Sequence, residues 1–230
     1  MYHTTTFKEN LACFLVKLCY NPKILFEDES IQSRELNEPF VIICNHTRKT
    51  NKFRVAEADG PIIRYAFFNK NVCSLAAKDI MEKFPWNFLM KDLNCIPVDR
   101  FSATTKWARD CEAELKNGKS IILFPEGTTL KAREIAEFQS GFLLLAKTAK
   151  VKILPVVIHR TFGLLKHRRP KVLIGVPYEI TDEKMTKSVR QAETERFQKI
   201  VTDLYCKLTG KTEEQATKNN FHLYKKFKHN

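Results

Sequence analysis

His46 follows Asn45 at the end of an apolar run, Pro39-Phe40-Val41-Ile42-Ile43-Cys44. A run of β-branched and aromatic residues bounded by turn formers reads as a buried strand, so the imidazole stands where a strand opens into a loop. Such a His is either a general base, since an ordinary imidazole takes up a proton near neutral pH, or a hydrogen-bonded structural residue. Three other places bear on the choice. Asp59 precedes Gly60-Pro61 and an apolar-periodic segment, which makes it a helix N-cap and equally a carboxylate able to orient a base. Arg100 closes Ile96-Pro97-Val98-Asp99-Arg100 and offers a planar fork for phosphate or carboxylate, or else a surface ion pair. Glu126-Gly127-Thr128 follow a second apolar strand, Ile121-Ile122-Leu123-Phe124, through Pro125, a loop composition able to turn backbone N–H groups toward an anion. Cys44 beside Asn45 suggests a covalent alternative, but its place within the apolar strand argues against a reactive thiolate.

The elements that position these residues alternate. The pattern predicts strands near 23–27, 39–44, 72–76, 95–98, 120–124, 153–158 and 171–175. Helices are predicted near 7–19, 60–69, 78–92, 103–117, 138–149 and 187–208. That alternation implies an α/β fold: a single domain with a mixed, largely parallel sheet flanked by helices. Three parts are expected, an N-terminal amphipathic helix in 1–22, the main domain in 23–210 and a basic tail in 211–230. Thr6-Phe7-Lys8-Glu9 has the form of a capping box, and Phe7, Leu11, Phe14, Leu15 and Leu18 then recur at helical spacing. Such a face either packs on the core or lies on a bilayer surface.

Composition narrows the partners. With 39 Lys and Arg against 26 Asp and Glu, the chain carries a formal charge of +13, which points to lipid headgroups, nucleic acid or an acidic carrier protein. The basic residues are scattered, and no zinc-finger, aromatic-basic or zipper pattern accompanies them, so nucleic acid is not expected as a partner. Seven dispersed Cys without a Cys-x-x-Cys pair point to a reducing compartment and give no metal site. No stretch approaches the roughly 20 apolar residues that a membrane span needs.

Taken in order, Asn45-His46, Asp59, Val98-Asp99-Arg100, Phe124-Pro125-Glu126-Gly127-Thr128 and Ile153-Leu154-Pro155-Val156-Val157 resemble the glycerolipid acyltransferase family, in particular the 1-acylglycerol-3-phosphate acyltransferases. The resemblance spans roughly residues 38 to 178. It implies His46 as the base and Asp59 as its partner, with Arg100, Glu126, Gly127 and Thr128 on the acceptor and Asn45 as a further substrate contact; Arg48 and Lys49, cations right beside the proposed base, are expected as substrate contacts on their charge alone. It also implies lysophosphatidic acid as acceptor and acyl-CoA or acyl carrier protein as donor. No cofactor or metal is implied, and the place of action is the cytoplasmic face of a membrane, peripherally bound to its anionic surface.

Two departures stand out. Twelve residues separate His46 from Asp59 where the family has four, an insertion of eight that carries Arg48, Lys49, Lys52 and Arg54. Thr129 stands where many members have Arg. The first leaves open a membrane binder without catalysis. The second leaves open a different lysolipid acceptor, with the loop cations a replacement for the lost contact, a grip on the phosphates of coenzyme A or an acidic acyl carrier protein, or simply a solvated loop.

Overall fold

The computed structural model describes residues 7–33, 38–46, 59–68, 70–82, 94–99, 106–127, 134–159, 169–181 and 184–218. Seven strands among them form one sheet: β1 Lys23–Phe26, β2 Phe40–Cys44, β3 Val72–Ala77, β4 Cys95–Val98, β5 Ser120–Leu123, β6 Lys152–His159 and β7 Lys171–Ile174. The order across the sheet is β1-β7-β6-β2-β5-β3-β4. Neighbours from β6 to β4 run parallel, β7 is antiparallel to β6, and β1 lies parallel to β7. All seven strands predicted from the pattern are present, each end within a residue of its expected place.

β2 is buried along its whole length because it is central and both faces of the sheet are covered. Alternation then splits its side chains. Val41 and Ile43 join one core, whereas Phe40, Ile42 and Cys44 join the other. The first core is closed by α5 Lys106–Lys116, α6 Gly141–Ala149 and α7 Lys187–Thr209; the second is closed by α1 Phe7–Cys19 and α3 Asp59–Ala66. α7 begins on Thr186, whose hydroxyl accepts from the Val189 N–H. It ends on Gly210 at φ 71, the left-handed position that a side chain would strain.

Four differences from the sequence expectation are informative. α2 Glu29–Ser33 is a five-residue turn too short to show a period. α4 covers Lys78–Met81, and the remainder of the helix expected to residue 92 lies outside the described residues, apart from Glu82. α8 Glu213–Thr217 occupies the start of the expected tail: Thr212 and Gln215 form a reciprocal capping box, and Ala216 is fully buried. Residues 219–230 of that tail lie outside the described residues.

α1 is the fourth. Its apolar stripe faces away from the core, with Phe7 81%, Phe14 59% and Leu18 69% exposed. The inward residues are Glu9, Cys13 and Val16. Glu9 was expected in a capping box with Thr6, which lies outside the described residues; its carboxylate is bonded to Arg64 of α3.

Candidate active site

Parallel strands put their carboxyl ends on one edge, and connections leave the middle of this sheet in both directions. β2 leads through α3 to β3 on one side, while β5 leads through α6 to β6 on the other. Crevices at such a switch point are where open α/β sheets bind ligands. The last residues of β2, β5 and β6 converge there.

Asn45 is 1% exposed and extends the β2–β6 pairing with its side chain. Its Oδ1 accepts the Ile158 N–H at 2.9 Å, and its Nδ2 donates to the Ile158 carbonyl at 3.2 Å. The amide of this residue, expected as a substrate contact, is engaged with the Ile158 backbone through both its oxygen and its nitrogen. That clamp fixes the point at which the chain leaves the sheet, and so fixes His46.

The His46 ring lies flat on Phe124, with centroids 3.8 Å apart and planes 12° from parallel. The two residues follow adjacent strands, β2 and β5, and reach the edge together. From the other side, Nδ1 of His46 lies 3.4 Å from Oδ2 of Asp59. Asp59 opens α3 and is buried, and the amino end of that helix favours its negative charge. His46 and Asp59, the residues that flank the twelve-residue connection, therefore meet, and with Nδ1 turned to the carboxylate, Nε2 is the nitrogen available for proton transfer.

Phe124 also begins the turn that carries Glu126 and Gly127. The Gly127 N–H donates to the Phe124 carbonyl at 3.0 Å, Gly127 takes φ 66, and the Gln139 N–H holds Pro125 from the following segment at 2.8 Å. Glu126 is buried beneath this turn. Cys44 is buried, and its Sγ donates to the Asn45 carbonyl at 3.3 Å, within the strand. Burial pushes the Cys73 and Cys95 thiols up to about 11 and the Cys111 thiol to about 12, which disfavours thiolates there. Arg48, Lys49, Lys52, Arg54, Arg100, Thr128 and Thr129 lie outside the described residues.

A polar group that the sequence did not suggest lies on the opposite face of the same edge. Nδ1 of His159, at the end of β6, is 3.0 Å from the Tyr205 hydroxyl, which donates to Glu134 Oε2 at 3.3 Å. Lys211 reaches Glu134 at 3.5 Å. No spacing signals this group, because it joins residues far apart in the sequence. Phe124 was similarly missed as a ring partner, although an aromatic directly before Pro-Glu-Gly was visible in the sequence.

The model of the family described as Acyltransferase matches residues 23–159, from the start of β1 to the end of β6. The chain belongs to the acyltransferase family. A probable 1-acyl-sn-glycerol-3-phosphate acyltransferase of Mycoplasma pneumoniae is 33% identical over 88 residues, 36% of this chain and 33% of the relative. A protein of the same description from Mycoplasma genitalium is 27% identical over 135 residues, 57% of this chain and 48% of the relative. The match thus spans a third to a half of these curated relatives. In fold, the chain is similar to the crystal structure of the 1-acyl-sn-glycerophosphate acyltransferase PlsC of Thermotoga maritima, with TM-score 0.60, 20% identity and coverage of 86% of this chain and 78% of that one. This member of the family therefore has a mixed, mostly parallel sheet flanked by helices, as its alternating pattern implies.

Proposed function

We propose that this acyltransferase moves a fatty acyl group from a thioester, acyl-CoA or acyl carrier protein, to the sn-2 hydroxyl of 1-acylglycerol-3-phosphate. The observation that carries the reading is the approach of Asp59 to Nδ1 of His46 at 3.4 Å, across an insertion that could have parted them. Nε2 of His46 takes the proton of the acceptor hydroxyl as its oxygen attacks the thioester carbonyl. Asp59 holds the tautomer and stabilises the imidazolium that forms. The tetrahedral intermediate then expels the thiolate, the C–S bond breaks, and the imidazolium returns the proton to sulfur. Asn45 acts as a positioning residue in this scheme. Glu126, Gly127, Thr128 and Arg100 serve the acceptor, with Arg48 and Lys49 as further phosphate contacts.

The place of action in this reading is the cytoplasmic face of a membrane, without a span; among the described residues no helix is long and apolar enough to cross one. Five exposed large apolar side chains on α1 support contact with lipid, and the charge of +13 favours an anionic surface.

The test is transfer of labelled acyl from each donor to lysophosphatidic acid, with His46→Ala beside the parent. Product from the parent and a loss of about a hundredfold or more in the variant are expected. Equal activity in both would remove His46 as the base, and inactivity in both would remove this acceptor.

A further inference from the structure

Glu9 is charged, 3% exposed and on the inner face of a helix whose outer face is apolar. Its Oε1 accepts from Nη2 of Arg64, while Nη1 of the same guanidinium donates to the Val72 carbonyl at the start of β3. Val16, on the same inner face of α1, belongs to one apolar cluster with Ile62, Ile63 and Phe67. Nothing in the transfer chemistry uses Glu9 or Arg64.

Their position in the fold gives them a use. α3 has eight residues, a rod of about 12 Å. Asp59 at its first residue meets His46, and Arg64 near its other end meets α1 and β3. An apolar pair of similar volume would hold two helices together as well as a buried ion pair does. Apolar contacts, however, permit sliding and rotation, whereas a guanidinium held by oxygens from two elements fixes both. The orientation of α3, and with it the reach of Asp59, is therefore set through α1.

The dyad has slack to be taken up. At 3.4 Å it is longer than the 2.7 to 3.2 Å of a well-formed N–H···O bond. Seating the outer face of α1 on lipid would exclude water from the rim of the Glu9–Arg64 pair, whose guanidinium is partly exposed, and strengthen its attraction.

We propose that Glu9 and Arg64 are positioning residues for Asp59 and that they couple catalysis to the seating of α1 on a lipid surface. This rests on the lipid-surface reading of α1 given above. Through the rod of α3, contact at α1 shortens the dyad, so the enzyme works faster on an acceptor in a bilayer than on the same headgroup free in solution.

The experiment compares kcat for a short-chain lysophosphatidic acid kept monomeric with kcat for a long-chain one in phosphatidylcholine–phosphatidylglycerol vesicles, alongside flotation with those vesicles. For the parent, flotation and a vesicle-to-monomer ratio of about ten or more are expected. Glu9→Gln should float as the parent does, with a ratio below about three. A purely structural defect lowers both rates together and leaves the ratio at the parental value, which would overturn the coupling. Because a guanidinium left without its anion destabilises the fold, the double variant Glu9→Leu, Arg64→Met removes both charges, and the same low ratio is expected from it. A parent that floats but shows no rise overturns the coupling alone, while a parent that does not float overturns the lipid-surface reading beneath it.

Discussion

Replacing Asp59 with Asn keeps the size of the side chain and removes its charge, so the change isolates the electrostatic part of the dyad. Two unit charges 3.4 Å apart attract by about 332/(20 × 3.4), or roughly 5 kcal/mol, at the effective dielectric of about 20 that suits partly exposed sites. His46 is such a site, with its side chain 15% exposed. A proton about half transferred in the transition state develops about half of that interaction, roughly 2.5 kcal/mol. At 1.36 kcal/mol per decade, Asp59→Asn should lower kcat by about a hundredfold. The KM for acceptor and donor should change little, because the lost interaction grows only as the imidazolium forms. The cost in stability is the acidic residue at the start of α3, about 0.3 to 1 kcal/mol. The assay is initial rates of labelled product at saturating donor over a range of acceptor, with thermal unfolding recorded on the same preparation. A fall in kcat of less than about threefold in a folded variant would refute the reasoning, as would a loss confined to KM.

Two further outcomes are expected. Phe124→Leu removes the ring on which His46 lies, and a stacked aromatic stabilises a neighbouring cation by about 0.5 to 2 kcal/mol; kcat should fall about 3- to 30-fold, Phe124→Trp should recover most of it, and a Leu variant at the parental rate would sink the assignment. Burial pushes the His159 imidazole below its ordinary range, with Lys211 and Lys171 acting the same way and Glu134 opposing them. The unfolded chain therefore binds that proton at higher pH than the folded one, so this contribution holds above about 6.5 and is lost as pH falls toward the lower folded value. Urea midpoints should drop on acidification through that window, His159→Gln should flatten the drop, and equal slopes in the two proteins would contradict the role given to His159.

What the sequence reveals depends on how local the cause is. The strands show because each is a short apolar run cut off by turn formers, and β2 shows best because burial on both faces leaves no polar interruption. His46 and Asp59 are legible as residue types at strand and helix ends, while their approach depends on where the sheet places β2 against α3. Asn45 is seen beside His46, but its engagement with Ile158 requires knowing that β6 is the neighbouring strand. For α1, periodicity locates the apolar stripe without its direction. The direction is set by Glu9 pairing with Arg64, a contact between residues 55 apart. The group of His159, Tyr205, Glu134 and Lys211 is invisible for the same reason.

The outer ladder of the sheet joins the two ends of the fold. Lys23 pairs with Lys171 and Phe26 with Ile174, partners roughly 150 residues apart. Closing a loop of that length costs about 4 kcal/mol of chain entropy before the ladder returns anything. During synthesis, at about 5 to 20 residues per second, β1 waits about 7 to 30 s after leaving the ribosome for its partner to appear. α1 precedes it and spends that interval with Phe7, Phe14 and Leu18 already available to lipid. On the lipid-surface reading, the nascent chain meets its membrane before its sheet is complete, so its delivery is fixed by the order of the sequence.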